Sequence, residues 1–287
     1  MIESRSEYLP TRGLKLHLRG WGSADAPLLL LLHGWMDNSA SWQFMVDALA
    51  REWHCVAPDW HGFGQSEWAV GGIYDYADYL ADLDDLLEHL SPREPVRIVG
   101  HSMGGNIGAW YAAARPERVK AFVNGEGFGL RASGAMDAPG HIRSWLEEVR
   151  RGGERRAYPD LASIIERIRV LSTRIDDARA RFIAAHWAEQ DASGRYRFRA
   201  DPGHRRKPLD LYRVDEWRAI WGAIKAPVLW IEADHSENLE RHGLTHAALA
   251  TRRNSIPDLT RLAIADSGHM VHWDQPERLA IAVEAFL

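Results

Sequence analysis

The sequence of 287 residues predicts an α/β protein in which a mostly parallel sheet is covered by helices on both faces. The first observation is that short aliphatic stretches alternate along the chain with stretches whose apolar residues recur at helical spacing. The second is that this alternation stops between about residues 128 and 215, where helical periodicity continues without strands. Together they predict an α/β body with one helical insertion.

The strands and helices of the body follow from these patterns. Strands are predicted over residues 12–19, 27–32, 54–58, 96–99, 119–123, 227–231 and 261–265. Helices are predicted over residues 41–51, 75–90, 106–114, 238–250 and 276–287. The helix that begins at residue 106 should end before Pro116, because the residue before a proline disfavours the helical conformation.

Three helices are predicted in the insertion, over residues 141–151, 161–175 and 176–189. The second carries isoleucines and leucine on one face, which needs another surface to pack against. We therefore expect a core domain formed by residues 1–127 and 216–287, and a helical cap formed by residues 128–215.

Composition narrows the class of protein. Hydrophobic residues make up 46% of the chain and charged residues 26%, which is ordinary for a globular protein. The longest aliphatic run, residues 28–32, is too short to cross a bilayer, and residues 1–10 lack the apolar stretch of a secretory signal. We expect no membrane span and a cytoplasmic location. Cys55, the single cysteine, is expected to be a buried structural thiol.

Charge is distributed unevenly along the chain. The net charge of −5 gives no reason to expect nucleic-acid binding. Residues 141–207 contain fifteen Arg and one Lys against ten acidic residues, so this stretch carries about +6 and the remainder about −11. The basic stretch either attracts anionic substrates or forms solvated helix faces that dock on an acidic body.

Ser102 lies between two glycines where an aliphatic strand gives way to a helix of small residues. The sequence GHSMG over residues 100–104 is typical of a nucleophile elbow, in which chain reversal strains the serine backbone. Gly100 and Gly104 have no Cβ to clash with the neighbouring strand and helix. The pattern predicts Ser102 as a nucleophile whose hydroxyl is exposed at the strand tip.

The sequence HGW over residues 33–35 directly follows a predicted buried strand. Its position at the carboxyl end of that strand brings it to the same sheet edge as Ser102. Backbone amides suit a developing oxyanion, because they are fixed before the charge appears. We predict that the N–H groups of Trp35 and Met103 form an oxyanion hole.

His269 follows the last predicted strand, at the same edge and after the serine in chain order. Serine needs an imidazole that takes its proton and returns it to the leaving group, so His269 is the predicted general base. His272 makes an H-x-x-H pattern with it, but no further group in the sequence is expected to complete a metal site. No metal or organic cofactor is expected.

With these motifs the chain resembles the cap-bearing serine hydrolases of the α/β-hydrolase superfamily, a group that includes esterases, C–C hydrolases and relatives of haloalkane dehalogenases and epoxide hydrolases. The shared segments are residues 33–35, 59–66 (D-x-H-G-x-G-x-S), 100–105 and 268–270, and the resemblance covers nearly the whole chain. It implies the α/β-hydrolase fold with an inserted helical cap. Dehalogenases and epoxide hydrolases carry aspartate at the elbow, so the similarity to those two activities stops at the fold.

The resemblance also implies an acidic residue that orients His269, and the sequence leaves its identity open. The usual acid follows the strand after the cap, and the position that matches it best is Ser236. Other members place the acid after the preceding strand, where this chain has Glu126 between glycines. We favour Glu126, with Glu237 and Asp234 as alternatives.

Aromatic and histidine side chains are candidates for a substrate pocket. Most of the 13 tryptophans are expected to fill core or cap contacts. We expect Trp145 and Trp187 on cap helices, with Trp35, His33 and His101 near the nucleophile, to line an apolar pocket for a small-molecule substrate.

The predicted reaction is hydrolysis of a carboxylic ester with a small to medium hydrophobic group, through an acyl-enzyme on Ser102. The same residues suit hydrolysis of a C–C bond in a dienoic diketone, or perhydrolase activity without a cofactor. A protein of another class, a ligand receptor that uses this fold without chemistry, remains an alternative.

Overall fold

The computed structural model describes residues 1–287 apart from the side chain of Glu240. Its strands are β1 (Arg5–Thr11), β2 (Leu14–Trp21), β3 (Leu28–Leu32), β4 (His54–Pro58), β5 (Val96–His101), β6 (Val119–Gly125), β7 (Ala188–Gln190), β8 (Tyr196–Phe198), β9 (Val228–Ala233) and β10 (Leu259–Ile264). Eight strands form one sheet in the order β1-β2-β4-β3-β5-β6-β9-β10. The pairs β1–β2 and β2–β4 are antiparallel and the rest are parallel, which confirms the predicted mostly parallel sheet.

The helices lie between these strands. They are α1 (Gln43–Asp47), α2 (Tyr76–Leu90), α3 (Met103–Ala114), α4 (Ala138–Arg151), α5 (Leu161–Leu171), α6 (Asp177–Trp187), α7 (Val214–Ala223), α8 (Glu237–Arg241), α9 (His246–Arg253), α10 (Val271–Asp274) and α11 (Pro276–Phe286). Among the described residues, none of these helices combines the length and the apolar content that crossing a membrane requires.

Strand β3 separates two hydrophobic cores. Leu30 and Leu32 pack into a cluster that includes buried residues of α2, α3 and α7. Leu29 and Leu31 point to the other face, where the cluster includes residues of α1 and α11. Since side chains alternate along a strand, a run of five leucines can serve both cores at once. Helices therefore cover both faces of the sheet, as predicted.

The chain between β6 and α7 forms the insert, defined here as residues 128–213. It contains α4, α5, α6 and a hairpin of β7 and β8. The three predicted helices are present, but residues 188–189 belong to β7 and not to a helix. A tight turn closes this hairpin: the Asp191 carboxylate accepts the Ser193 N–H at 2.9 Å, and Gly194 has a φ of 81°.

Helix α7 spans the predicted domain boundary at residue 216. It packs on the body, where the rings of Trp217 and Trp110 lie 5.4 Å apart between centroids. The domain limits of 1–127, 128–215 and 216–287 remain a prediction.

The strand β1 was not predicted. Its residues 5–11 pair with β2. A turn at Arg12 and Gly13, whose φ values are 46° and 84°, joins the two strands. Most of its side chains are exposed, so backbone hydrogen bonds hold it at the sheet edge and no apolar pattern marks it.

Two predicted helices are interrupted in the structure. The helix predicted over residues 41–51 is a 3₁₀ turn at Ser39–Trp42 followed by the short α1. The helix predicted over residues 238–250 is divided into α8 and α9. Gly243, between them, has a φ of 60°, which is the left-handed conformation that commonly ends a helix.

The insert has its own core, which also contacts the body. Buried side chains of α5 and α6 pack with Met270 and Trp273, which lie just after His269 in the chain. Cys55 is buried in β4, as predicted, and burial raises the pKa of its thiol to about 12.

We predict that Ile168→Ala lowers the free energy of unfolding by about 2–5 kcal/mol, because Ile168 is fully buried between the insert helices. Val170→Ala on the same helix is the control, since Val170 is 67% exposed and the change should be within about 0.5 kcal/mol. Urea denaturation of the full chain measures both. Equal effects of the two substitutions would contradict this packing.

Candidate active site

Ser102 lies at the turn between β5 and α3, on the carboxyl edge of the sheet. Its φ of 51° and ψ of −114° are values that L residues rarely adopt, and its N–H donates to the Gly125 carbonyl at 2.8 Å. A Cβ on Gly100 would lie 2.6 Å from the carbonyl oxygen of Gly104, and a Cβ on Gly104 would overlap the carbonyl oxygen of Leu32. The strand and helix can meet at this turn because both positions are glycine.

His269 lies in the loop after β10, and its imidazole connects Ser102 with Glu126. Its Nε2 is 3.1 Å from the Ser102 Oγ, and its Nδ1 is 3.1 Å from the Glu126 Oε2. A carboxylate only accepts hydrogen bonds, so Nδ1 carries the proton and Nε2 can accept from the serine hydroxyl. The geometry allows His269 to take the proton of Ser102.

Glu126 directly follows β6 and is buried. Its Oε1 accepts the backbone N–H of Ala233 at 2.8 Å, and its Oε2 accepts from the hydroxyl of Ser236. Ser236, which the family pattern places where the usual acid lies, therefore donates to the carboxylate. These groups on β9 and the loop after it fix Glu126 beside His269.

The two alternative acids bind backbone around the histidine. Asp234 accepts the N–H groups of Asp266 at 2.9 Å and Ser267 at 3.0 Å. Glu237 accepts the backbone N–H of His269 at 3.2 Å. Among the side chains that the structure describes, neither carboxylate hydrogen-bonds to the imidazole of His269, whereas Glu126 does.

The predicted oxyanion donors belong to the two chain segments that flank the serine. Gly34 lies against the elbow, since a Cβ on it would be 3.2 Å from the Cβ of Ser102. The N–H of Trp35 belongs to the peptide bond that joins Gly34 to Trp35. Met103 is the first residue of α3, so its N–H has no acceptor within the helix. Within the described part of the chain, neither N–H donates to another protein group.

His33 supports this loop from the protein interior. Its Nδ1 donates to the Gly34 carbonyl at 2.8 Å, and its Nε2 accepts the N–H of Trp60 at 3.0 Å. Burial lowers the pKa of His33, which keeps the ring neutral. Because a trans peptide is planar, holding the Gly34 carbonyl directs the N–H of Trp35 to the opposite side.

His101 is also buried, and it ties the elbow to the histidine loop. Its Nε2 donates to the backbone carbonyl of His269 at 2.8 Å. Burial, followed by the proximity of His272, lowers the pKa of His101 well below its ordinary value. We therefore find both predicted pocket histidines beneath the site, where they hold loops in place.

The tryptophans assigned to the pocket occupy different environments. Trp187 is buried, and its indole N–H donates to the Asp37 Oδ1 at 2.9 Å. Trp35 is 56% exposed, and its indole N–H donates to the carbonyl of His204 at 3.0 Å. Trp145 is half-buried in α4. Trp187 and Trp35 join the insert to the body, and a role for any of the three in a pocket remains a prediction.

Asp37, which the sequence analysis did not single out, joins three parts of the site. Its carboxylate accepts from Trp187 in the insert, from the Ser41 hydroxyl at 2.7 Å and from the His272 Nε2 at 3.2 Å. Burial opposes its ionisation, but the hydrogen bonds from His272 and Ser41 hold its pKa below the ordinary value. No local pattern predicts this residue, because His272 and Trp187 are distant in the sequence.

Asp274 makes a second connection between the insert and the histidine loop. It accepts the backbone N–H of Gly268 at 2.7 Å and the hydroxyl of Ser172, which ends α5. Burial raises the pKa of this carboxyl. The position of His269 is therefore linked to the position of the insert.

Potential metal-ligating atoms of Asp37, His101 and His272 lie within 4.8 Å of one another. These three residues come from distant parts of the chain that the sequence does not bring together, and the expectation that no metal binds here remains a prediction. The hydrogen bond between His272 and Asp37 also accounts for the arrangement of that pair without an ion.

A protein family, a relative and several solved structures match this chain. Residues 27–151 match a family described as alpha/beta hydrolase fold. A serine hydrolase-like protein from Danio rerio is 26% identical over an alignment that covers 100% of this chain and 90% of that protein. The thioesterase domain from the curacin biosynthetic pathway superposes with a TM-score of 0.89 at 22% identity, covering 99% of each chain. A hypothetical protein from Pseudomonas aeruginosa PAO1 superposes with a TM-score of 0.85 at 24% identity, covering 98% of this chain and 97% of that one.

The chain has the α/β-hydrolase fold, and the family match lies over residues 27–151. The solved structures establish its fold, and the serine hydrolase-like relative supports an enzyme of the hydrolase class.

We predict that Gly104→Ala lowers the stability of the protein by about 1–3 kcal/mol or more, because its Cβ would overlap the carbonyl of Leu32 and force the elbow to shift. Gly140→Ala is the matched control, since a Cβ at that helical position meets no atom within 4 Å. Thermal unfolding followed by circular dichroism measures both. A melting temperature for Gly104→Ala equal to that of the control would contradict the close packing of the elbow.

Proposed function

We propose that the protein is a carboxylic ester hydrolase that acts through an acyl-enzyme on Ser102. The observation that carries this proposal is the continuous hydrogen-bonded series from Glu126 through His269 to Ser102. A nucleophile, a base and a group that orients the base are the parts that acyl transfer requires.

In the first half of the reaction, the Ser102 Oγ attacks the ester carbonyl while its proton passes to the Nε2 of His269. The carbonyl oxygen becomes an oxyanion that the N–H groups of Trp35 and Met103 stabilise. Glu126 accepts a hydrogen bond from the Nδ1–H of the imidazolium and stabilises its charge. Collapse of the intermediate breaks the C–O bond, and His269 gives its proton to the departing alcohol.

In the second half, water attacks the acyl carbon while His269 accepts one of its protons. The same two N–H groups hold the second oxyanion. Collapse then returns the proton to the Ser102 Oγ and releases the carboxylic acid, which restores the starting enzyme.

The proposed substrate is an ester with a small to medium hydrophobic group. Trp145 in α4 and Trp35 at the loop after β3 are the proposed apolar contacts, because both offer aromatic surface that is not fully buried. One structural neighbour is a thioesterase domain, which belongs to the same class of acyl transfer.

We predict that Ser102→Ala lowers the kcat of p-nitrophenyl ester hydrolysis by about 10⁴-fold to 10⁶-fold, because the nucleophile is lost. Wild type should react with a fluorophosphonate, and peptide mapping should locate the label on Ser102. The exposed Ser193→Ala is the control and should keep full activity. Absence of both turnover and label in wild type would favour the alternative of a ligand receptor, whereas full activity of Ser102→Ala would contradict the role of Ser102 as the nucleophile.

We predict that Glu126→Gln lowers kcat by about 10³-fold to 10⁴-fold, because the amide cannot stabilise the imidazolium as a carboxylate does. Glu237→Gln is the control, since Glu237 contacts the backbone of His269 and not its ring. Steady-state kinetics on the same esters measures both. A large loss in Glu237→Gln with little change in Glu126→Gln would reverse the assignment of the acid.

A further inference from the structure

A cavity of about 120 Å³ lies where the insert meets the body, apart from the residues proposed for catalysis. Its walls come from β2, from the loops after β3 and β4, from α6 and from the chain after β8. The residues include Arg19, Asn38, Asp59, Gln65, His186 and Arg199. This volume holds several water molecules or one small ligand, since a water molecule occupies about 30 Å³ in the liquid.

Arg19 is the unusual residue of this cavity. Its side chain is 8% exposed, and it donates to two neutral hydroxyls: Nε to Ser39 at 3.3 Å and Nη1 to Ser4 at 2.8 Å. Among the described side chains, no carboxylate oxygen lies within 4 Å of its guanidinium, and no acceptor faces its Nη2. Burial lowers the pKa of Arg19, although the charge of Asp59 acts in the opposite direction.

The carboxylate of Asp59, which lines this cavity, is already engaged. Asp59 accepts from the His17 Nδ1 at 2.8 Å, from the Ser39 N–H at 2.6 Å and from the Gln65 N–H at 2.8 Å. These bonds hold the pKa of Asp59 well below its ordinary value against the opposing effect of burial. The carboxylate of Asp59 therefore accepts hydrogen bonds from donors other than Arg19.

Arg199, the second arginine of the cavity, shares its carboxylate partner Glu189 with Arg155. Glu189 pairs with Arg155 at 2.7 Å and with Arg199 at the longer distance of 3.5 Å. Arg199 therefore shares one carboxylate with another arginine, and Arg19 has none within 4 Å among the described side chains. His186 adds no positive charge to this cavity, because burial lowers its pKa.

We propose that this cavity binds a small carboxylate anion between Arg19 and Arg199. A guanidinium presents parallel N–H donors that match the two oxygens of a carboxylate, and the negative charge of the anion would lie between the two arginines. Arg19 belongs to the body and Arg199 to the insert, so the bound anion bridges them and stabilises their contact. This site is separate from the proposed ester chemistry and does not depend on it.

Isothermal titration of the full-length protein with acetate, at ionic strength held constant with sodium chloride, tests the site. Acetate should bind wild type and Ser102→Ala equally, which separates this site from the proposed active site. Arg19→Gln and Arg199→Gln should each weaken binding by roughly ten- to hundredfold, as expected for the loss of a charged hydrogen bond. Arg181→Gln, which removes an exposed arginine of α6 outside the cavity, should bind as wild type does.

Absence of acetate binding at millimolar concentration would overturn the proposal. So would binding that both cavity variants retain, or binding of phosphate without binding of acetate. If Arg19→Gln does not fold, Arg199→Gln decides the test alone, because Arg199 is partly exposed and its loss leaves no buried charge unpaired. A rise in melting temperature with acetate in wild type, reduced in Arg199→Gln, provides the second readout.

Discussion

The close approach of the carboxyl ends of β3, β5 and β6 is the constraint on which the site depends. Ser102 fits between these strand ends because Gly100 and Gly104 allow backbone atoms to meet where side chains would overlap. The positive φ values of Met36, Ser102 and Glu126 lie at this same edge, and each costs of the order of 1–3 kcal/mol. Backbone hydrogen bonds from Ser102 to Gly125 of β6 and from Glu126 to Ile231 of β9 hold two of these conformations, so the strain lies beside the proposed reacting groups.

Two buried carboxylates connect this edge to the insert. Asp37 binds Trp187 and His272, and Asp274 binds Ser172 and the backbone beside the histidine loop. A displacement of the insert would therefore strain both the loop that carries Trp35, a proposed oxyanion donor, and the loop that carries His269, the proposed base. The insert is part of the support of the site and not only a cover over it.

Much of this arrangement is predictable from local sequence, and the remainder depends on distant contacts. Ser102 and His269 can be identified because each lies in a short motif at the end of a recognisable strand. Glu126 can be identified only among alternatives, since the choice depends on Ser236 and on the loop after β9, which no local pattern relates to it. Asp37 and the mostly exposed β1 give no apolar or motif signal, because their stabilising partners are distant hydrogen-bonding groups.

The most direct test of the account is the mass of the protein during turnover of a p-nitrophenyl ester, quenched in acid and analysed by peptide mapping. The account predicts an added acyl group on the peptide that contains Ser102, formed together with a burst of p-nitrophenol that approaches one equivalent. Turnover without a covalent adduct, or an adduct on another residue, would contradict it.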